Sequence, residues 1–189
     1  MSQRALLVSD IHQKVSFLKD LDLFLSKNSF KYLISAGDLT NRSENAVKYA
    51  QDFFKIVEKR IKNIYVIHGN NEPKDVVDLY KRKDYSVHFN PKKIGRRYIV
   101  GIGGWGDTEN KKIDKYLKDS VLVTHFPPKA APCSFIDQPS IHISGHMHFS
   151  EARYKKNGIL YIHLKSSSQF LRVGILDLAK EEIKFTNLD

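Results

Sequence analysis

The chain has 189 residues, 41% of them hydrophobic, a single cysteine and a formal charge of +10. That length suits one domain, read over residues 1–189, with enough apolar material for a full core. No run of about 18 apolar residues occurs and the N-terminal stretch lacks an apolar signal core, so neither a membrane span nor a secretory leader is expected. The lone Cys133 permits no intrachain disulfide, in keeping with a cytoplasmic protein. Positive charge attracts phosphate-bearing partners. The lysines, however, are spread along helix-like segments rather than gathered in a block, as on an ordinary solvated surface.

Apolar strands alternate with amphipathic helices, which predicts an α/β fold. A strand at 4–9 runs into Asp10-Ile11-His12, and a helix over 16–27 follows, with Val15, Leu18, Leu21, Phe24 and Leu25 on one face. A strand at 31–36 ends in Gly37-Asp38. The next helix starts after Ser43, a predicted N-cap, and carries Val47, Ala50, Phe53, Phe54, Val57 and Ile61 at helical spacing. A strand at 64–67 leads into His68-Gly69-Asn70-Asn71-Glu72, and Pro73 suits the first turn of a short helix to about Tyr80. Short strands are predicted at 86–89 and 97–102, then a glycine cluster (Gly101, Gly103, Gly104, Gly106) around Trp105, which reads as a core aromatic. A lysine-rich surface helix is predicted at 108–118, and strands at 120–124 and 141–144 end in His125 and in Gly145-His146-Met147-His148. Asn157-Gly158 predicts a hairpin turn between 152–155 and 159–163, and strands at 170–177 and 182–185 complete the pattern. The order opens βαβαβ and closes on mostly antiparallel strands.

Five of these strands end in the same kind of chemistry. Asp10 and His12, Asp38, Asn70, His125, and His146 with His148 all lie just past a strand. Open α/β sheets converge their loops beyond the carboxyl ends of the strands, so these seven O and N donors are predicted to meet in one crevice. Each alone has a bland explanation as a turn, loop or strand-end residue; together they form a coherent ligand set. Seven donors exceed the need of one metal and suit two ions sharing a carboxylate, held about 3.5–4 Å apart. The mixture of imidazole and carboxylate favours Mn, then Fe or Zn, with Mg less suited.

Asp10-x-His12, Gly37-Asp38, Gly69-Asn70-Asn71-Glu72, His125 and Gly145-His146-x-His148 resemble, in order, the five motifs of the calcineurin-like metallophosphoesterase superfamily. Gly101-Ile102-Gly103-Gly104-Trp105 and Thr124-His125-Phe126-Pro127-Pro128 look like its small, uncapped prokaryotic phosphoesterases. The resemblance implies a four-layer α/β/β/α sandwich of mixed sheets. It implies one metal on Asp10, His12, Asp38 and His148, and a second on Asp38, Asn70, His125 and His146, with Asp38 bridging and a bridging hydroxide attacking phosphorus. Many members carry a histidine, which contacts phosphate and is held to protonate the leaving oxygen, where this chain has Asn71. An amide donates a hydrogen bond but is no general acid. Asn71 is therefore the expected catalytic-site donor to phosphate; His68 and His88 are acid candidates in name only, and Glu72 is expected to orient its loop.

The expected activity is a metal-dependent phosphodiesterase acting on a small or nucleotide-like phosphodiester. A nuclease is the second expectation, since a basic chain suits a phosphate backbone, and a non-catalytic metal-binding scaffold the third. The loops at 40–44, 103–110 and 126–140 are expected to set specificity, no thiol mechanism is expected at Cys133, and a homodimer through an exposed helix or edge strand is left open.

Overall fold

The computed structural model describes residues 3–104, 111–128 and 138–188, so Trp105, Gly106 and Cys133 lie outside the described residues. The chain begins with β1 (Arg4–Val8), α1 (Val15–Lys27), β2 (Tyr32–Ser35), α2 (Ala46–Glu58), β3 (Asn63–Val66) and α3 (Lys74–Arg82). It continues with β4 (Lys92–Ile94), β5 (Arg97–Ile102), a 3-10 helix (Lys111–Tyr116), β6 (Val121–Thr124) and β7 (Ile141–Ser144). A hairpin of β8 (Ala152–Lys156) and β9 (Ile159–His163), a one-turn α4 (Ser167–Phe170), β10 (Arg172–Asp177) and β11 (Glu182–Asn187) complete it.

The strands form two mixed sheets, ordered β11-β10-β1-β2-β3 and β4-β5-β6-β7-β9-β8. Their facing sides bury Leu7, Ile34, Ile67, Val123, Ile143 and Ile162 in one cluster. On the outer face of the first sheet, Leu6, Leu33 and Val66 pack against Phe17, Phe24, Phe53, Phe54 and Tyr80 from the helices. The outer face of the second sheet offers Val100, Ile102 and Leu122 to Ile113 and Leu117. The α/β/β/α layering thus holds, with a 3-10 segment and the turn after it as the fourth layer. Each fully buried Leu or Phe contributes about 1.5–3 kcal/mol of transfer free energy, so the two clusters on the first sheet hold β1, β2 and β3 rigidly under the site.

Local details depart from the sequence expectations for identifiable reasons. The buried stripe of α1 is Phe17, Leu21, Phe24 and Leu25, spaced i, i+4, i+7, i+8, whereas Val15 at its first position is 74% exposed. Ser43 does not cap α2; its hydroxyl donates to Gln13 Oε1 (2.9 Å), and Asn45 precedes the helix without a side-chain cap bond. Residues 86–89 make only isolated bridges, Val66 with Ser86 and His88 with Gly101, in place of the predicted strand. Asn157 and Gly158 both take positive φ, 50° and 80°, as the hairpin turn requires.

Both sheets are mixed in strand direction. β5, β6, β7 and β9 run parallel, and only β4 and β8 at the sheet edges, with β10 and β11 of the first sheet, are antiparallel. In the first sheet β1, β2 and β3 are parallel as well. The carboxyl ends of β1, β2 and β3, and those of β6 and β7, are therefore each aligned along one sheet edge.

One buried histidine makes stability pH-dependent. His142 on β7 is 5% exposed, its Nε2 lies 2.8 Å from Thr124 Oγ1, and burial pushes its pKa down to about 4. A base depressed from 6.5 to about 4 stabilises the fold above pH 6.5 and loses that contribution as pH falls toward 4. Urea unfolding at pH 7 and pH 5 should show a loss of about 2 kcal/mol from this group, and His142→Gln, which keeps a partner for Thr124, should remove that portion of the pH dependence.

Candidate metal centre

The β1 loop carries unusual backbone geometry. Asp10, His12 and Gln13 have φ of 54°, 51° and 57°, and Asp38 and His146 also lie in the left-handed region, at 52° and 72°. Such non-glycine conformations cost of order 1–3 kcal/mol each and persist where surrounding contacts enforce them. Here the loops after β1 and β2 are joined by backbone bonds: Asp10 N to Gly37 O (3.0 Å), Ile11 N and His12 N to Asp38 O (2.8 and 3.0 Å), and Gln13 N to Leu39 O (3.1 Å). A serine run grips the same loop from the β9–β10 connection. Ser166 Oγ and Ser168 Oγ donate to Asp10 O (2.8 and 3.2 Å), and Ser167 Oγ accepts from Ser9 N (3.1 Å).

Those bonds aim the Asp10 carboxylate. Its Oδ2 accepts from Ser9 Oγ (2.5 Å) and His146 N (3.0 Å). Its Oδ1 is buried, has no hydrogen-bond partner among the described residues and lies 3.3 Å from His148 Nε2. A second side of the site is set by Glu72. This buried carboxylate accepts backbone N–H bonds from Asp38 (3.1 Å), Leu39 (2.5 Å) and Thr40 (3.2 Å), from Gly69 (2.5 Å), and the Tyr80 hydroxyl at 3.3 Å. It ties the Asp38 loop to the Asn70 loop through their backbone groups. Burial, with Asp38 adding, pushes its pKa up to about 7 against the pull of those N–H groups.

The donors converge around Asp38. Its Oδ2 is 3.8 Å from His12 Nε2 and 3.5 Å from His125 Nε2. Burial alone would raise its pKa, but His125 and Asn71 outweigh that and hold the group at about 2. His125 Nδ1 donates to Ala36 O (2.9 Å) and His12 Nδ1 to Asn41 Oδ1 (2.7 Å). In each ring that bond leaves Nε2 available to a cation, the arrangement that orients imidazoles in metal sites generally. His125 Nε2 also meets Asn70 Oδ1 at 2.9 Å, and the His146 ring centroid is 5.1 Å from that of His125. All seven sequence-predicted ligands are therefore in one place.

The fit to a cation is direct on one side. One ligand atom each from Asp10, His12, Asp38 and His148 all lie within 4.8 Å of one another. His12 Nε2 and His148 Nε2 face each other at 3.1 Å beside the unpartnered Asp10 Oδ1. Two nitrogen lone pairs and a bare buried carboxylate oxygen call for a positive centre between them, and a mixed imidazole–carboxylate set suits a divalent transition metal. The Asp10 carboxylate beside it raises the His148 pKa against some burial, and Asp38 raises that of His125 although burial opposes it; burial lowers that of His146.

Asn71 sits on the site rather than apart from it: its backbone N donates to Asp38 Oδ1 (2.9 Å) and its Nδ2 to Asp38 Oδ2 (2.7 Å). His68 and His88 pack edge to face, ring centroids 4.5 Å apart, and His88 Nδ1 accepts the Gly103 N–H at 2.9 Å. Burial pushes His68 down to about 4 and lowers His88, so both are neutral near pH 7. The residues that sequence reasoning missed are Ser166–Ser168 and Asn41. Three serines shortly after an apolar strand are the available signal: a solvated loop gains nothing from that run, whereas a buried one can satisfy neighbouring backbone groups.

Gly145 tests the closeness of this packing. A Cβ there would meet Ser9 Oγ, and Asp10 Oδ2 at 2.8 Å. Gly145→Ala should cost about 1–3 kcal/mol as an overpacked substitution and lower the metal content per chain, read by thermal melting and elemental analysis.

Comparison with known proteins agrees with this arrangement. The calcineurin-like phosphoesterase family model matches residues 3–150. Among solved structures, the protein TT1561 of Thermus thermophilus aligns with a TM-score of 0.73 at 12% identity, covering 100% of both chains. An archaeal protein described as a novel phosphodiesterase aligns at 0.62 with 17% identity, over 97% of this chain and 98% of that one. Yfce, a phosphoesterase from E. coli, gives 0.52 at 13% identity, over 98% of this chain and 100% of its own. At such identities the likeness is one of fold. No curated protein matches this chain by sequence.

Proposed function

This chain belongs to the calcineurin-like phosphoesterase family, hydrolases of phosphoric esters, and from that premise we propose that it is a phosphodiesterase with a two-metal centre. The observation that carries the reading is the position of Asp38, whose one oxygen faces His12 on one side and His125 on the other. A single carboxylate between two ligand groups is what a bridged pair of ions requires. Asp10, His12 and His148 complete one group; Asn70, His125 and His146 complete the other. When bound, two divalent ions, Mn²⁺ as the first choice, supply Lewis acidity toward the phosphoryl oxygens and a water acidified to near neutral pH.

The chain's own residues do the rest. Asp10 and Asp38 hold negative charge in a buried place, which favours binding of cations over protonation. The Nδ1–H bonds of His12 and His125 keep their ligand nitrogens aimed without reorganisation. Asn71 offers an N–H from the Asp38 side toward a phosphoryl oxygen and supplies no proton. A substrate with a good leaving group fits that lack of an acid. The archaeal phosphodiesterase that shares the fold supports the choice of diester over monoester, and the single cysteine suits work in the cytoplasm.

The test is hydrolysis of bis(4-nitrophenyl) phosphate beside 4-nitrophenyl phosphate. Protein stripped of metal and then given Mn²⁺ should turn over the diester well ahead of the monoester. A preference for the monoester, or turnover that ignores metal, would overturn the reading.

A further inference from the structure

One edge of the metal centre is apolar and open, which the ligand set does not require. Phe149, the residue after the ligand His148, is 77% exposed, Met147 is 52% exposed and Phe170 is 36% exposed. Large apolar side chains left in water beside a functional site mark a contact surface. The two phenyl rings meet edge to face, centroids 6.1 Å apart at 80°. The His148 and Phe149 rings are 6.5 Å apart. A cavity of about 400 Å³ is lined by His146, Met147, His148, Phe149 and Ser150, so metal-ligand imidazoles and the exposed ring share one hollow. Lys165 Nζ lies 3.7 Å from the Phe170 ring centroid and places a cation at the same edge.

We infer that Phe149, buttressed edge to face by Phe170, forms a stacking shelf for the base of a nucleotide whose phosphate occupies the metal centre. The placement of the phosphate rests on the phosphodiesterase reading; the shelf itself rests on the exposed rings. An aliphatic group would gain only buried area here. A base offers a π-face to Phe149, and its phosphate is drawn by Lys165 as well as by the metals. α4 fixes the shelf, because Ser166 caps it while bonding Asp10 O, so Phe170 keeps a set distance from the ligand loop.

The experiment is calorimetric titration of Mn²⁺-saturated protein with adenosine 5′-monophosphate and with methyl phosphate. Base stacking predicts that the nucleotide binds about 5- to 150-fold more tightly than methyl phosphate. Phe149→Ala should bring that ratio close to one, and Phe149→Tyr should retain it. Equal affinities in the natural protein, or an unchanged ratio in Phe149→Ala, would overturn the shelf. So would self-association that Phe149→Ala abolishes while the ratio stays put, which would assign the edge to a second copy of the chain. Because the readout is binding, it stays separate from catalysis: a nucleotide preference that depends on Phe149 without diester turnover would keep the shelf and remove the phosphodiesterase reading.

Discussion

Asp38→Ala should reduce metal-dependent diester hydrolysis by at least about a thousand-fold, since the bridge proposed for its carboxylate would support several kcal/mol of charge stabilisation and each 1.36 kcal/mol is tenfold in rate. The loss should be chemical, not a failure to fold. The backbone of Asp38 does the structural work: its carbonyl accepts from Ile11 and His12, and its N–H donates to Glu72. None of these bonds uses the side chain, which accepts from Asn71 N and Nδ2 instead. The variant should therefore melt cooperatively while binding fewer metal ions per chain, as elemental analysis would count. A second consequence follows from the histidine pair. Asp38 raises the His125 pKa, so its removal should let that value fall, visible in histidine proton resonances of the metal-free protein. Full activity in Asp38→Ala would reject the two-metal assignment.

Asn71→His should have the next largest effect, and of opposite sign. With an amide at this position the motif loop offers no proton to a departing oxygen; His68 and His88 are turned into each other and stay neutral. Rates in the natural protein should therefore depend steeply on the acidity of the leaving group, fast for nitrophenyl esters and slow for alkyl esters. A histidine at 71 supplies the missing acid, and general acid catalysis is worth about 10²–10⁴ in rate. The gain should appear for alkyl esters and be small for nitrophenyl esters, flattening the plot of log kcat against leaving-group pKa. Asn71→Ala, by contrast, removes a hydrogen bond to Asp38 and an amide donor toward phosphate but no acid, and should leave the slope as steep as before. An equal gain on all esters would mean that the histidine acts on metal affinity instead.

The element order and the donor residues at the strand ends were legible because both are local. The donor residues follow apolar runs directly, and the alternation of strand and helix periods needs no long-range information. The stripe at Phe17 and the turn at Asn157-Gly158 are likewise properties of neighbouring residues. Strand direction is not: β6, β7 and β9 carry patterns that fit either orientation, and only their pairing with one another makes them parallel. Glu72 could be suspected of orienting its loop, but its four backbone partners come from two loops that no local pattern brings together. Ser166 and Asp10 are separated by 156 positions and share one hydrogen bond. Residue order is enough to say which atoms can bind metal and at which strand ends they stand. How far apart they lie, which Asp10 oxygen is left bare and which aromatic rings flank them are set by packing, because those depend on contacts between segments that meet only when both sheets are assembled.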